Sequence, residues 1–183
     1  HLIDMALWVK NIQTTPLTVT ATGGNFSFPD HAHETFDTMS VSYQMKDYTI
    51  NWDHVAGTEL GPYNRSYGLA YIGDYATLVI DRDGWELFPG KDGAGFRTPA
   101  IPRQPGKDSH EEHMVNFLEC IKTRKDPACT IENGRLVAMY AHMGNIALRT
   151  NSRLEWQASA HNFGTNEKAN ALITPVYRAP WKL

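Results

Sequence analysis

Two cysteines, Cys120 and Cys129, are all that this 183-residue chain contains. One pair in a chain of this length is no disulfide framework, and its spacing matches no zinc motif. No apolar run approaches the roughly 20 residues of a membrane span. An excess of one charge is also lacking: 17 Lys and Arg stand against 20 Asp and Glu, with a sequence pI near 6.2. That balance gives no case for nucleic acid or an anionic membrane as partner. Glycine is present but not as a phosphate loop. Gly90, Gly93 and Gly95 fall in a stretch with no following strand-to-helix junction, which a dinucleotide fingerprint needs to set a helix N-terminus against the pyrophosphate. No cofactor site is therefore expected within the chain. Gly-x-Ser-x-Gly is missing too, which excludes a nucleophile elbow. The chain opens on His rather than Met, without a basic-then-apolar leader. It reads as a fragment or processed product, and the compartment, cytoplasmic or exported, stays open.

What is present fits one globular domain over residues 1–183. A chain of this size buries roughly 70% of its unfolded surface, and 42% apolar with 20% charged residues is ordinary for a packed core. His1 to Asn11 has a helical distribution of apolar residues. From Thr38 to Met45, then Tyr48 to His54, apolar and polar residues alternate strictly, the mark of strands with one covered face. With Lys46-Asp47 as a two-residue turn, Val41 is expected opposite Trp52 and Met39 opposite His54. Gly73-Asp74 and Asp83-Gly84 read as the next two hairpin turns. A meander of about five strands follows, with Leu17–Thr22 a candidate sixth.

Pro89 to Asp108 holds four Gly and four Pro, too many breakers for a helix or a central strand, and is expected as a long excursion. Ser109 and Glu112 have capping-box spacing. Met114, Phe117, Leu118 and Ile121 then mark an amphipathic helix over 109–124. A second helix over 130–150 carries its apolar seam on Leu136, Tyr140, Met143 and Ala147. Leu154–Gln157 is a possible returning strand. The whole predicts an α+β fold: an open-faced, mainly antiparallel sheet with helices packed on one face.

Eight histidines invite a metal reading. His31 and His33 lie in a loop, and His110 and His113 are three apart on a helix, not the four-apart His pair of His-Glu-x-x-His. Solvated polar faces account for both pairs, and no metal site is expected. Trp52 and His54 are more pointed: they close an apolar strand face beside the 57–65 loop. An indole offers a flat surface to the C–H face of a sugar, and a histidine beside it offers a hydrogen bond. A core Trp with a boundary His is the plainer alternative.

Several short motifs occur in order along the chain: His1-x-x-Asp4, the β-meander, Asn116-Phe117-Leu118-Glu119-Cys120-Ile121 with Arg124-Lys125-Asp126-Pro127, and Gly144-Asn145-Ile146-Ala147. Arg153-Leu154-Glu155-Trp156, Asn166-Glu167-Lys168-Ala169-Asn170 and Tyr177-Arg178-Ala179-Pro180-Trp181 complete the series. In this order they resemble the C-terminal half of Gfo/Idh/MocA-type oxidoreductases. The resemblance implies a sheet domain like the C-terminal domain of glyceraldehyde-phosphate dehydrogenases, which shapes a sugar site and often builds a homo-oligomer through its sheet. It also implies a Rossmann domain, outside this chain, binding NAD or NADP. His1 matches the histidine of the family's Asp-x-x-x-His catalytic motif, and Arg178 joins Trp52 and His54 as an expected substrate contact. Such a chain alone is expected to be inactive. A non-catalytic carbohydrate- or protein-binding module, or part of an NAD-dependent glycosidase of the same family, is the alternative.

Overall fold

A computed structural model describes residues 1–92 and 94–181. The helices are α1 (Leu2–Val9), α2 (His110–Thr123), α3 (Ile131–Thr150) and α4 (Glu167–Asn170). The first six strands are β1 (Thr18–Gly24), β2 (Thr38–Gln44), β3 (Thr49–Val55), β4 (Leu69–Ile72), β5 (Ala76–Ile80) and β6 (Gly84–Pro89). Then come β7 (Lys91–Asp92), β8 (Gly95–Phe96) and β9 (Ile101–Pro105). The fold is α+β with antiparallel sheets, as the alternation and helical periods predict. The chain divides into two compact units, one from His1–Lys10 and Thr58–Ile131, the other from Asn11–Gly57 and Glu132–Leu183. The strands read as one meander are divided between two sheets, β1, β2 and β3 in one and β4, β5 and β6 in the other, where β9 is added from the Pro/Gly-rich stretch.

The unit of residues 11–57 and 132–183 is built on the sheet β1-β2-β3. Val41 pairs with Trp52 and Met39 with His54, and Lys46-Asp47 is the turn, closed by the Met45 N–H on the Tyr48 carbonyl at 2.9 Å. Val19, Val41 and Tyr43 project from one face and are buried. The seam Leu136, Tyr140, Met143 and Ala147 of α3 is buried as well. Gly144 explains how the helix closes on β2. A Cβ there would lie 2.8 Å from the Tyr43 hydroxyl and 3.2 Å from a Val41 methyl, so only glycine lets the backbones come this near. The Tyr43 hydroxyl donates to the Tyr140 carbonyl at 2.8 Å. The Tyr140 hydroxyl donates to the Thr14 carbonyl at 2.9 Å. Each buried phenol thus has a partner, and burial raises both pKa values above the usual tyrosine range.

The expected strand at Leu154–Gln157 shrinks to two isolated bridges, Val19 with Leu154 and Gln157 with Asn162. The tail motif after it is a local knot. Asn166 Oδ1 accepts the Ala169 N–H at 3.0 Å and caps α4. Asn170 accepts the Phe163 N–H at 2.7 Å and donates to the Gly164 carbonyl at 2.9 Å. These bonds seat Phe163 and Ala169 in the core.

The unit of residues 1–10 and 58–131 holds the sheet β4-β5-β6-β9. α1 lies against it with Ala6 and Leu7 buried, and Tyr71 donates to the Met5 carbonyl at 3.2 Å. Both expected turns move by one residue. Gly73 pairs with Ala76, leaving Asp74-Tyr75 at the bend, and Asp81 pairs with Gly84, leaving Arg82-Asp83. Neither glycine takes a positive φ. Gly84 is needed for space instead, since a Cβ there would meet the Gln104 carbonyl at 2.1 Å. The Asp81 carboxylate turns the chain by accepting the Asp83 and Gly84 amides, both at 2.8 Å, an Asx turn that outweighs the Asp-Gly dipeptide signal.

The Pro/Gly-rich segment is also more ordered than its composition predicts. It forms the β7–β8 hairpin and then β9, which pairs with β6. Pro102 and Pro105 are tolerated because β9 is an edge strand, where a missing N–H faces away from the ladder. At α2 the capping box does not form. Ser109 makes no side-chain cap; Asp108 accepts the His110 N–H at 3.0 Å, and Glu112 turns to an ion pair with Lys107. Met114, Phe117, Leu118 and Ile121 share the expected face of α2, yet all four remain about half exposed.

Candidate functional site

Strand β3 places Trp52 and His54 on one face, two residues apart, with Trp52 half-buried and His54 exposed at the strand end. Their partners Val41 and Met39 show that this is the face α3 covers. The other face is polar. Thr20, Thr22, Ser40, Ser42, Asn51 and Asp53 line a shallow trough along it. Ser40 donates to Asp53 at 2.6 Å and Thr18 to Gln44 at 3.1 Å, each across a strand pair. One sheet thus offers an aromatic–histidine edge on one side and a field of hydroxyls on the other.

The loop before β2 is organised by Asp37, which is buried. Burial opposes its ionisation, but the amides of Phe28, Phe26 and Ser27 and the Thr38 hydroxyl all donate to it, holding its pKa at about 2. Arg149 of α3 ties the loop down, donating to the Glu34 carbonyl at 2.8 Å and lying 5.5 Å from the Phe36 ring. Within this loop His31 stacks on Phe28 at 5.0 Å and meets His33 edge-on at 6.0 Å. The histidine pair is therefore part of an aromatic cluster. Among the described residues no group of three or more His, Cys, Asp or Glu is placed to hold a metal ion.

The strongest electrostatic constellation was not visible as a motif. Arg65 and Asp81 are both buried and paired at 2.5 Å. Arg65 also pairs with Glu86, and Arg103 grips both Asp81 oxygens at 3.0 and 3.1 Å. Burial pushes the Asp81 pKa up, but the Arg103 bonds, the Asp83 amide and the Arg65 charge outweigh it and lower it. The Asp-x-Asp-Gly turn was the one sequence hint. The clasp joins Asp81 to Arg65 from a loop and Arg103 from β9, with Glu86 of β6 on Arg65, and no local spacing links these four.

His1 sits at the N-cap of α1, exposed, in the unit of residues 1–10 and 58–131. Arg178 lies in the exposed C-terminal segment of the other unit, its carbonyl accepting the Trp181 N–H at 3.0 Å. The structure brings Trp52 and His54 together on one strand face and shows no contact of Arg178 with either. Of the glycines weighed for a dinucleotide, Gly90 precedes β7 and Gly95 opens β8 in the antiparallel β7–β8 hairpin, and Gly93 lies outside the described residues. The Arg97 N–H reaches the Gly90 carbonyl at 3.0 Å. A hairpin presents no helix N-terminus, so these residues do not fit a pyrophosphate.

This α+β fold is shared with oxidoreductases of known structure. Residues 100–183 match the sequence model of the "oxidoreductase family, C-terminal alpha/beta domain" of the Gfo/Idh/MocA group. Among solved structures, the oxidoreductase YvaA from Bacillus subtilis shares the fold with a TM-score of 0.65 at 14% identity, over 86% of this chain and 49% of that one. The UDP-N-acetylglucosamine 3-dehydrogenase GnnA from Acidithiobacillus ferrooxidans gives 0.56 at 14% identity, over 81% and 45%. The WlbA dehydrogenase from Bordetella pertussis, solved with NADH and UDP-GlcNAcA, gives 0.51 at 13%, over 85% and 43%. The chain spans about half the length of the structures it matches. No curated protein sequence matches it.

Proposed function

We propose that this chain is the substrate-binding and oligomerisation domain of a nicotinamide-dependent sugar or polyol oxidoreductase. The observation that carries the reading is the family match over residues 100–183 on a fold shared with sugar-nucleotide dehydrogenases. NAD or NADP is then held by a separate dinucleotide-binding domain, a reading supported by Gly90 and Gly95 lying beside and within short strands and not before a helix. Trp52 stacks on the sugar, while His54 and Arg178 take its hydroxyls. His1 handles the hydroxyl proton, a task suited to an imidazole. The hydroxyl-rich face of β1-β2-β3 meets its own copy in a homo-oligomer, as a two-fold axis pairs like with like. The same placement of Gly90 and Gly95 also favours a second description, in which the chain by itself is a non-catalytic sugar-binding module.

Calorimetry on the 183-residue chain tests this. UDP-N-acetylglucosamine should bind at millimolar concentration and Trp52→Ala should weaken it, while NADH alone should give no saturable heat. Tight NADH binding, or sugar binding indifferent to Trp52, would overturn the assignment. Sedimentation at tens of micromolar should show a dimer or larger; a strict monomer would remove the oligomerisation role.

A further inference from the structure

Tyr63 and Asn64 hold left-handed backbone in succession, with φ of 61° and 57°. Asparagine tolerates this region; a tyrosine there is strained and stays only where its surroundings enforce it. The enforcement is on view in the same unit. The Gly61 N–H closes the turn on the Arg65 carbonyl at 2.8 Å, and the Arg65 guanidinium is sunk between Asp81 and Glu86. Arg103 clamps Asp81 from β9. A buried ionic clasp thus fixes the residue that follows the strained pair.

What the clasp achieves is the placement of one ring. Tyr63 stands 5.4 Å from Phe88, tilted by 38°, and the two residues keep 41% and 39% of their surface exposed. A tyrosine recruited only for burial would not combine left-handed backbone with that much open surface. The register puts Phe88 opposite Thr77 and Glu86 opposite Val79. The ring pair therefore shares its sheet face with a hydroxyl and a carboxylate, while Tyr71, which bonds to α1, belongs to the other face.

We propose that Tyr63 and Phe88 form a stacking subsite for the C–H face of a pyranose ring, with Arg65 as its positioning residue. The subsite lies in a different unit from Trp52 and His54 and goes beyond the reading above, sharing only its premise of a sugar ligand. A pyranose has a flat apolar face and a rim of hydroxyls. Two tilted rings match the first, and Thr77 and Glu86 match the second. A protein partner needs far more apolar contact than two half-exposed rings provide.

Saturation-transfer NMR on the full chain with methyl β-D-glucopyranoside tests the proposal, with sorbitol as the open-chain control. Transfer should reach the pyranoside ring protons and be much weaker for sorbitol. Tyr63→Leu keeps apolar packing on Phe88, and Tyr63→Gly relieves the left-handed strain. Both should cut pyranoside transfer by roughly fivefold or more, the scale of one aromatic stacking contact. Trp52→Ala should leave this transfer in place. No transfer from the unaltered chain, or unchanged transfer in both Tyr63 variants, overturns the inference. Loss in Trp52→Ala alone also overturns it while upholding the proposed function; loss confined to the Tyr63 variants upholds the inference, and the role of Trp52 is then decided by the calorimetry with UDP-N-acetylglucosamine. If Tyr63→Leu shifts only the sedimentation coefficient, the rings form a contact between copies and the sugar subsite is wrong.

Discussion

The two units are held together by different physics. Of sixteen buried apolar residues among those described, thirteen belong to the unit of residues 11–57 and 132–183 and three, Ala6, Leu7 and Val79, to the other. The first is a sheet closed by a helix over two phenols whose hydroxyls both find carbonyls. The second has little apolar interior and instead buries Arg65 and Asp81. Apolar packing stabilises through area and tolerates small changes in shape, whereas a buried ion pair is near neutral in net energy but costly to break on one side. The packed unit should therefore fail gradually as its core is eroded, and the clasped unit abruptly when one charge is removed.

Four measurements probe that contrast. Tyr140→Ala should have the largest effect, about 4 kcal/mol in urea unfolding, since it empties the centre of the packed unit; a loss under about 1 kcal/mol would mean the core collapses around the gap. Next, Asp81→Ala strands Arg65 without its main partner and should cost about 3 kcal/mol. Hydrogen exchange should place that loss in β4, β5, β6 and β9 and leave β1, β2 and β3 protected. Loss spread evenly over both units would erase the distinction. Gly144→Ala comes third, at about 1–2 kcal/mol, because its methyl meets the Tyr43 hydroxyl and Val41; an unchanged melting temperature would show that α3 has slack.

Acid should act last and most locally. The Asp37 pKa is lowered from 3.8 to about 2, so the unfolded state takes up protons first as pH falls. Its stabilising contribution is complete above pH 3.8 and is lost as pH drops through about 2. Exchange at the amides of Phe26, Ser27 and Phe28 should rise over that window. Protection that persists below pH 2 would show that Arg149, not Asp37, holds the loop.

The packed unit was the more legible in sequence. Strict alternation located β2 and β3 and their register, since a one-residue slip would turn Val41 and Tyr43 outward. The 3.6-residue period located the seam of α3. Legibility failed where side chains rather than backbone preference decide. Asp81 drew the turn one residue back, and Asp108 with Lys107 displaced the Ser109 capping box. The edge position of β9 allowed the prolines that had argued against a strand. Trp52 and His54 could be paired from alternation alone, whereas the Arg65–Asp81–Arg103 clasp joins segments that only the folded chain brings near.

One bond carries a consequence for how the chain is made. The Tyr140 hydroxyl reaches the Thr14 carbonyl across 126 positions of sequence, and the helix that covers β2 follows after residue 131. Residues 58–131 must be translated first, which takes roughly 4–15 s at about 5–20 residues per second. Until then the inward face of the β1–β3 ribbon, with Val41 and Tyr43 at its centre, has no covering helix. A nascent chain in that interval offers an apolar strand face to any chaperone at the ribosomal exit, or to the same ribbon on a neighbouring ribosome.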